Sequence, residues 1–90
     1  DTLHVYHQYV VTCENRNQIK KQLSERKISA GIHYALPGHL HRGYAHRCVL
    51  PDAGLPVTEQ TVKKILSLPI YPELAHDQVL QVVSNLSQIL

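Results

Sequence analysis

Residues 3–13 are rich in valine and tyrosine, and most of their apolar side chains can be placed on one face by the two-residue period of a β-strand. In the segment LHVYHQYVVTC, a two-residue period puts these residues on one face: Val5, His7, Tyr9, Val11 and Cys13. Valine and tyrosine suit a pleated, half-buried surface. The pattern predicts a strand near 3–13 whose Val11 face turns toward the core.

The spacing then becomes helical. Ile19 and Leu23 lie four residues apart in ENRNQIKKQLSERK and share one helix face. Asn15 is a candidate N-cap, and Gln18 three residues later completes a capping-box pattern. These features predict a helix near 15–26.

Alternation returns in ISAGIHY, which predicts a second strand near 28–34. The chain then has little periodicity until about residue 56, where helical spacing predicts a helix near 58–66. A short edge strand near 68–71 follows, since proline is tolerated at sheet edges. The last segment predicts a helix near 76–90 with an apolar arc of roughly 180°, wider than one small sheet requires.

This element order favours an α+β fold: a small, mostly antiparallel sheet with helices on one side. We expect residues 1–90 to form a single small domain. Two alternatives remain open at this point. The strands that flank the first helix could pair in parallel through a right-handed crossover, or the chain could form a ferredoxin-like split βαβ unit.

Composition narrows the class of protein. Apolar residues make up 43% and charged residues 18%, as in ordinary globular domains. The net charge of +2 is scattered along the chain, whereas nucleic-acid binding needs clustered cations. No apolar run approaches the ~20 residues that span a bilayer. We expect a cytoplasmic protein without nucleic-acid or membrane partners.

A histidine-rich loop holds the candidate chemistry. The histidines of this loop, at 33–48, and Cys48 are too irregularly spaced for a structural zinc site. A catalytic cysteine needs a base and a group that orients the base, and nothing in the sequence indicates either for Cys48. His33 ends the predicted second strand on the face opposite its apolar neighbours, where scaffolds present binding groups. We predict ligand-binding roles for His33 and Tyr34 and a weaker one for His39, with no catalytic or metal-binding residue.

Four motifs together resemble a known family. They are HxY at His7–Tyr9, GIHY at Gly31–Tyr34, LPVTE at Leu55–Glu59 and LSLPIYP at Leu66–Pro72. In this order and spacing, the chain resembles the C-terminal domain of the DegT/DnrJ/EryC1/StrS sugar aminotransferases over nearly all of its length.

The resemblance implies a fold-type-I enzyme dependent on pyridoxal phosphate (PLP). Such enzymes transfer an amino group from a donor such as glutamate or glutamine to a nucleotide-diphospho-keto-sugar, in deoxysugar, polysaccharide or antibiotic biosynthesis. They act as homodimers, and a lysine of the large N-terminal domain holds the cofactor. The resemblance places GIHY near the substrate, which implies substrate-binding roles for His33 and Tyr34, and for His39 more weakly.

The family's cofactor lysine has no counterpart in this sequence. We therefore expect a C-terminal fragment of a longer aminotransferase chain, inactive alone, with PLP bound mainly by the missing N-terminal domain. The alternative is a non-catalytic ligand- or metal-binding module that uses the loop at 33–48. A third possibility is an interaction domain that uses the broad face of the last helix.

Overall fold

The computed structural model describes all 90 residues, and it confirms the α+β class with helices and a two-stranded antiparallel sheet. A single 3-10 turn, Gly38–Leu40, lies in the long loop. The elements in chain order are β1 (Tyr9–Thr12), α1 (Arg16–Glu25), α2 (Pro56–Thr61), β2 (Ile65–Leu68) and α3 (His76–Ile89).

Strand β2 lies at the centre of the sheet. It pairs antiparallel with β1, with Tyr9 opposite Leu68. On its other side, the Gly31 N–H donates to the Ser67 carbonyl at 2.9 Å and the Ser67 N–H donates to the Gly31 carbonyl at 2.8 Å. Both flanking segments therefore run opposite to β2 and parallel to each other. This is a minimal split βαβ arrangement, so direct parallel pairing of these two segments is wrong.

The first predicted strand, 3–13, is shorter than expected. Only Tyr9–Thr12 pair, because β2 offers four partner residues. Tyr6 has a φ of 50°, which interrupts extended backbone. Leu3 and Val5 are exposed, whereas Val11 and Cys13 pack against the core as the alternation predicts.

The second predicted strand, 28–34, is reduced to one bridge at Gly31. At its start, Ile28 still belongs to the end of α1, because its N–H donates to the Leu23 carbonyl at 2.9 Å. At its other end the chain turns at His33. Only Gly31 between these constraints reaches β2.

The bounds of the predicted helix near 58–66 and strand near 68–71 are wrong, because both elements lie earlier in the chain. Helix α2 begins at Pro56, a favourable first helical residue, and ends at Thr61. The strand is Ile65–Leu68 rather than 68–71. Pairing with β1 overrides helical periodicity from residue 65, and Pro69 has no N–H with which to extend the ladder.

The helix near 15–26 is confirmed, but its predicted capping box is wrong. Asn15 takes a left-handed conformation (φ 53°, ψ 32°) and its side chain makes no capping hydrogen bond. Capping side chains need an extended backbone at this position. The helix near 76–90 is also confirmed, at His76–Ile89.

The core lies between the sheet and the two longer helices. Leu23 and Leu66 are fully buried at its centre. Its other members are Ile19, Ile28 and Ala30, with Val11, Cys13, Leu68, Val82, Leu86 and Ile89 packed around them. None of the helices has the length and apolar character needed to cross a membrane.

Candidate functional site

The two faces of β2 have different neighbours. Leu66 and Leu68 point to the core, on the side of α1 and α3. Because successive strand residues point to opposite faces, Ile65 and Ser67 point away from those helices. We call this second side the outer face. On this face the His33 ring lies against Ser67, and both Ile65 and Ser67 are buried.

His33 is anchored to the outer face through one ring nitrogen. Its Nδ1 lies 2.9 Å from the Ser67 Oγ. Its Nε2 has no hydrogen-bond partner within the chain, and the residue as a whole is exposed. The imidazole is thus held through Nδ1, and its Nε2 is a polar atom without a partner in the chain.

Tyr34 packs edge-on against His33. The ring centroids are 5.5 Å apart with an interplanar angle of 88°, within the range of favourable T-shaped pairs. Tyr34 is 71% exposed and its hydroxyl makes no hydrogen bond in the chain. The two side chains therefore present neighbouring polar atoms to the exterior.

Gly31 makes room for the His33 ring. A Cβ at residue 31 would lie 2.5 Å from His33 Cε1, closer than side chains tolerate. The His33 ring occupies the space that a side chain at residue 31 would need. Any side chain at residue 31 would displace the imidazole.

His39 is placed differently from the other two predicted residues. It is 8% exposed, and its Nε2 lies 3.1 Å from Glu59 Oε1 in α2. This contact joins the 3-10 turn to α2, and it occupies one of the two nitrogens that a ligand would use. No hydrogen bond connects His39 with His33 or Tyr34.

The structure brings in two residues that the sequence did not single out, Ser67 and Glu59. Ser67 is the one polar residue of the strand ILSL. With the strand predicted at 65–68, a single polar residue in an otherwise apolar strand would have indicated a buried hydrogen-bonding partner. Glu59 gave no such signal, because its partner His39 lies twenty residues away in an irregular loop.

The alternative of a metal-binding module finds no support in the geometry. No group of three or more histidine, cysteine, aspartate or glutamate side chains lies close enough to hold a metal ion. His41, His46 and Cys48 are all exposed within a run of turns. Histidine-rich composition alone does not create a site.

Cys13 lies away from these residues, at the end of β1. Burial raises the pKa of its thiol, against the opposing effect of the nearby Arg16 charge. A raised thiol pKa means less thiolate at neutral pH and lower nucleophilicity. Cys13 is thus not an activated nucleophile. The side chains of His33 and Tyr34 offer hydrogen bonds to a ligand.

Several known proteins match this chain. The sequence model of the DegT/DnrJ/EryC1/StrS aminotransferase family matches residues 1–87. A dTDP-3-amino-3,4,6-trideoxy-alpha-D-glucose transaminase from Micromonospora megalomicea is 39% identical over 88 residues, covering 97% of this chain and 23% of that protein. A UDP-N-acetyl-3-dehydro-alpha-D-glucosamine 3-aminotransferase from Acidithiobacillus ferrooxidans is 31% identical over 87 residues, covering 97% of this chain and 23% of that protein.

Solved structures agree with these sequences. The Streptomyces venezuelae protein DesV, in complex with a ketimine intermediate, matches with a TM-score of 0.84 at 34% identity, covering 94% of this chain and 23% of that one. An aminotransferase from Brucella abortus matches with a TM-score of 0.84 at 34% identity, covering 91% of this chain and 22% of that one. The chain thus spans less than a quarter of the length of these relatives. It belongs to the DegT/DnrJ/EryC1/StrS aminotransferase family.

Proposed function

We propose that this chain is the small C-terminal domain of a PLP-dependent aminotransferase that acts on a nucleotide-linked keto-sugar. In this proposal it supplies His33 and Tyr34 to the substrate pocket, with glutamate or glutamine as amino donor. The main support for this proposal is the match to sugar transaminases, which covers nearly the whole of this chain but only 22–23% of the length of those proteins. The missing length leaves room for a large N-terminal domain and for a homodimer interface.

The surface of the chain supports a missing partner domain. Its accessible area is 7217 Å², whereas a monomeric protein of 10.2 kDa is expected to expose about 5,300 Å². Its radius of gyration is 15.9 Å, against about 12 Å for a compact domain of this length. Both differences are expected for a piece that packs against more protein.

Enzymes of this family depend on PLP, and the surface positions of the lysines in this chain support a cofactor lysine that lies elsewhere. Lys64 is paired with Glu14 at the surface, and Lys21 approaches Glu25 along α1. The remaining lysines, Lys20, Lys27 and Lys63, lie on or beside helix surfaces, and none faces an enclosed cavity. We therefore assign the Schiff-base lysine to sequence outside these 90 residues.

The cofactor assignment is testable by chemical trapping. Borohydride reduction of the PLP-loaded gene product that contains this chain, followed by peptide mapping, is expected to give one modified lysine outside residues 1–90. A stoichiometric adduct on any lysine of this chain would contradict the assignment.

For the pocket residues, the chemistry is hydrogen bonding to sugar or phosphate oxygens. Imidazole and phenol groups can both make such bonds, while the transamination chemistry comes from the cofactor. His39 is the weakest member of the predicted set, because burial and the Glu59 contact leave it little access in this conformation. We propose that it contributes from within the loop that adjoins the pocket.

Binding measurements test the role of His33. UDP-N-acetylglucosamine and dTDP-glucose carry a sugar and a diphosphate, and they serve as probes by calorimetry with the gene product. His33→Gln is expected to raise the Kd of whichever probe binds about five- to tenfold, the effect of losing one hydrogen bond. His76→Gln is the matched control, because His76 is exposed on α3 and its side chain makes no hydrogen bond or ion pair. Unchanged Kd in His33→Gln, or no binding of either probe, would contradict the proposal.

A further inference from the structure

Ser67 is a buried polar residue with a fixed position beneath His33. It is 6% exposed and lies within β2. Its backbone N–H and carbonyl both bond to Gly31, so its Cα is held from both directions. The Ser67 Oγ is therefore a stationary partner for the His33 Nδ1, 2.9 Å away.

The buried hydroxyl proton of Ser67 needs a hydrogen-bond acceptor. Its Oγ makes a hydrogen bond only with His33 Nδ1, and it is not among the buried atoms that lack a partner. If Nδ1 carried the ring proton, Ser67 would accept it, and the buried hydroxyl proton would have no acceptor within the chain. A hydroxyl donates one proton, and a neutral imidazole offers one acceptor nitrogen. The pairing is complete when Ser67 donates to Nδ1.

We propose that Ser67 is a positioning residue for His33, whose hydroxyl donates to Nδ1 and thereby keeps the proton of the neutral ring on Nε2. Nε2–H then becomes an oriented hydrogen-bond donor with no partner in the chain. Its ligand atom must be an acceptor, such as a phosphate oxygen or a sugar oxygen. The ligand's identity rests on the proposed function, whereas the tautomer does not.

Gly31 reinforces this arrangement. The ring edge formed by Nδ1, Cε1 and Nε2 lies over Gly31, within 3.4 Å of where a Cβ would be. The imidazole can approach the strand this closely only because residue 31 has no side chain. Ser67 and Gly31 thus fix the ring from the same central part of the sheet.

The tautomer can be measured directly. Histidine-selective 15N NMR of the gene product at about pH 8.5, where an ordinary imidazole is neutral, reports which ring nitrogen is protonated. His33→Gln identifies the signals by their loss. We expect an unprotonated Nδ1 and a protonated Nε2 for His33. In Ser67→Ala we expect nitrogen shifts that average toward two exchanging tautomers, and in Ser67→Thr, which keeps the hydroxyl, the original signals.

A double-mutant cycle tests whether Ser67 acts through His33. Ser67→Ala is expected to raise the Kd of UDP-N-acetylglucosamine or dTDP-glucose about three- to fivefold in the natural background, and to leave it unchanged in the His33→Gln background. Ser84→Ala, an exposed serine of α3, controls for generic loss of a hydroxyl. Parallel measurements with UDP and dTDP distinguish two kinds of contact. If Nε2 contacts phosphate, Ser67→Ala raises the Kd of all four probes. If it contacts the sugar, Ser67→Ala raises only the Kd of the two sugar-bearing probes.

Different results would overturn the role of Ser67 and the proposed function. A protonated Nδ1 in the natural protein, or equal effects of Ser67→Ala with and without His33, would overturn the role of Ser67 and leave the proposed function standing. If His33→Gln left the Kd of the probe unchanged while the natural protein showed the expected tautomer, the proposed function alone would be overturned. Melting temperatures of each variant show that a changed Kd does not come from unfolding.

Discussion

Gly31 leaves the space that the His33 ring occupies in the candidate site. A methyl group at residue 31 would overlap the His33 ring, and the three heavy atoms nearest to it all belong to that ring. The ring is a side chain at the start of a turn, so it can swing away more easily than the strand can shift. A side chain at residue 31 should therefore weaken ligand binding more than it lowers the stability of the fold.

We expect Gly31→Ala to raise the Kd for the nucleotide-sugar probe by an amount close to that of His33→Gln. The melting temperature should fall by only a few degrees, because the displaced atoms are solvent-facing. Calorimetric titration and thermal unfolding of the gene product measure the two effects. Gly43→Ala is the control, since a Cβ there meets nothing within 4 Å. A large loss of stability with unchanged Kd would tell against this account.

The two cysteines differ in environment, and their reactivity should follow. Burial raises the pKa of the Cys13 thiol, whereas Cys48 is exposed. At a given pH below its pKa, the thiol with the raised pKa has less of the reactive thiolate.

Iodoacetamide at pH 8 is accordingly expected to modify Cys48 several-fold faster than Cys13, as measured by mass spectrometry of the folded protein. In the unfolded protein the rates should converge. The same shift has a stability consequence. Because folding raises this pKa, the folded state gains stability from the protonated thiol below the unfolded pKa, and that contribution is lost as pH rises through the folded pKa. Faster modification of Cys13 than of Cys48 would contradict the burial effect.

At the scale of elements, the end of α1 carries an avoidable strain. Lys27 has a φ of 62°, in the left-handed region that favours glycine. The Lys27 N–H donates to the Ser24 carbonyl at 3.0 Å and the Ile28 N–H donates to the Leu23 carbonyl at 2.9 Å. These two bonds define a Schellman motif, which explains why the chain keeps this conformation despite the lysine side chain.

Lys27→Gly should therefore stabilise the protein by up to about 1 kcal/mol, because glycine takes this conformation without a steric penalty. Chemical denaturation of the two proteins measures the difference. Lys21→Gly, at an exposed interior position of the same helix, should instead destabilise by about 1 kcal/mol. A loss above about 1 kcal/mol in Lys27→Gly would show that the turn differs from the one described.

The elements also explain which apolar residues remain exposed. On α3, Val82, Leu86 and Ile89 pack on the core, while Leu80 and Val83 are each 55% exposed. The broad apolar arc of this helix is thus divided between the core and an adjacent uncovered stripe. Within the proposed function, the rest of the enzyme covers such a stripe.

At the scale of the whole molecule, the chain has a small core and a large surface. Nine of its 90 residues are buried, which limits the hydrophobic stabilisation available to it alone. The long loop, residues 32–55, contributes only Pro37 and His39 to that buried set. Most of its apolar side chains face outward.

We therefore expect the isolated 90-residue chain to melt below about 45 °C, under the usual range for mesophilic domains. It should also bind the dye ANS, which detects exposed apolar surface. Circular dichroism and fluorescence measure these properties, with the gene product as control. A cooperative transition above about 65 °C without ANS binding would show that the chain needs no partner and would weaken the proposal that it is one domain of a larger enzyme.

The sequence by itself determined the two longer helices, the mixed α+β class and the family. Ile19 with Leu23, and the repeated apolar positions of α3, are local patterns whose meaning depends only on helix geometry. Tertiary structure decided the strands and the site. Ile65–Leu68 has helical spacing but pairs with residues more than fifty positions earlier, and the partnership of Ser67 with His33 exists only because that pairing centres β2 beneath the returning chain. The physical reason is that helix contacts are local, whereas strand pairing and side-chain contacts in this sheet join distant residues whose meeting no local pattern encodes.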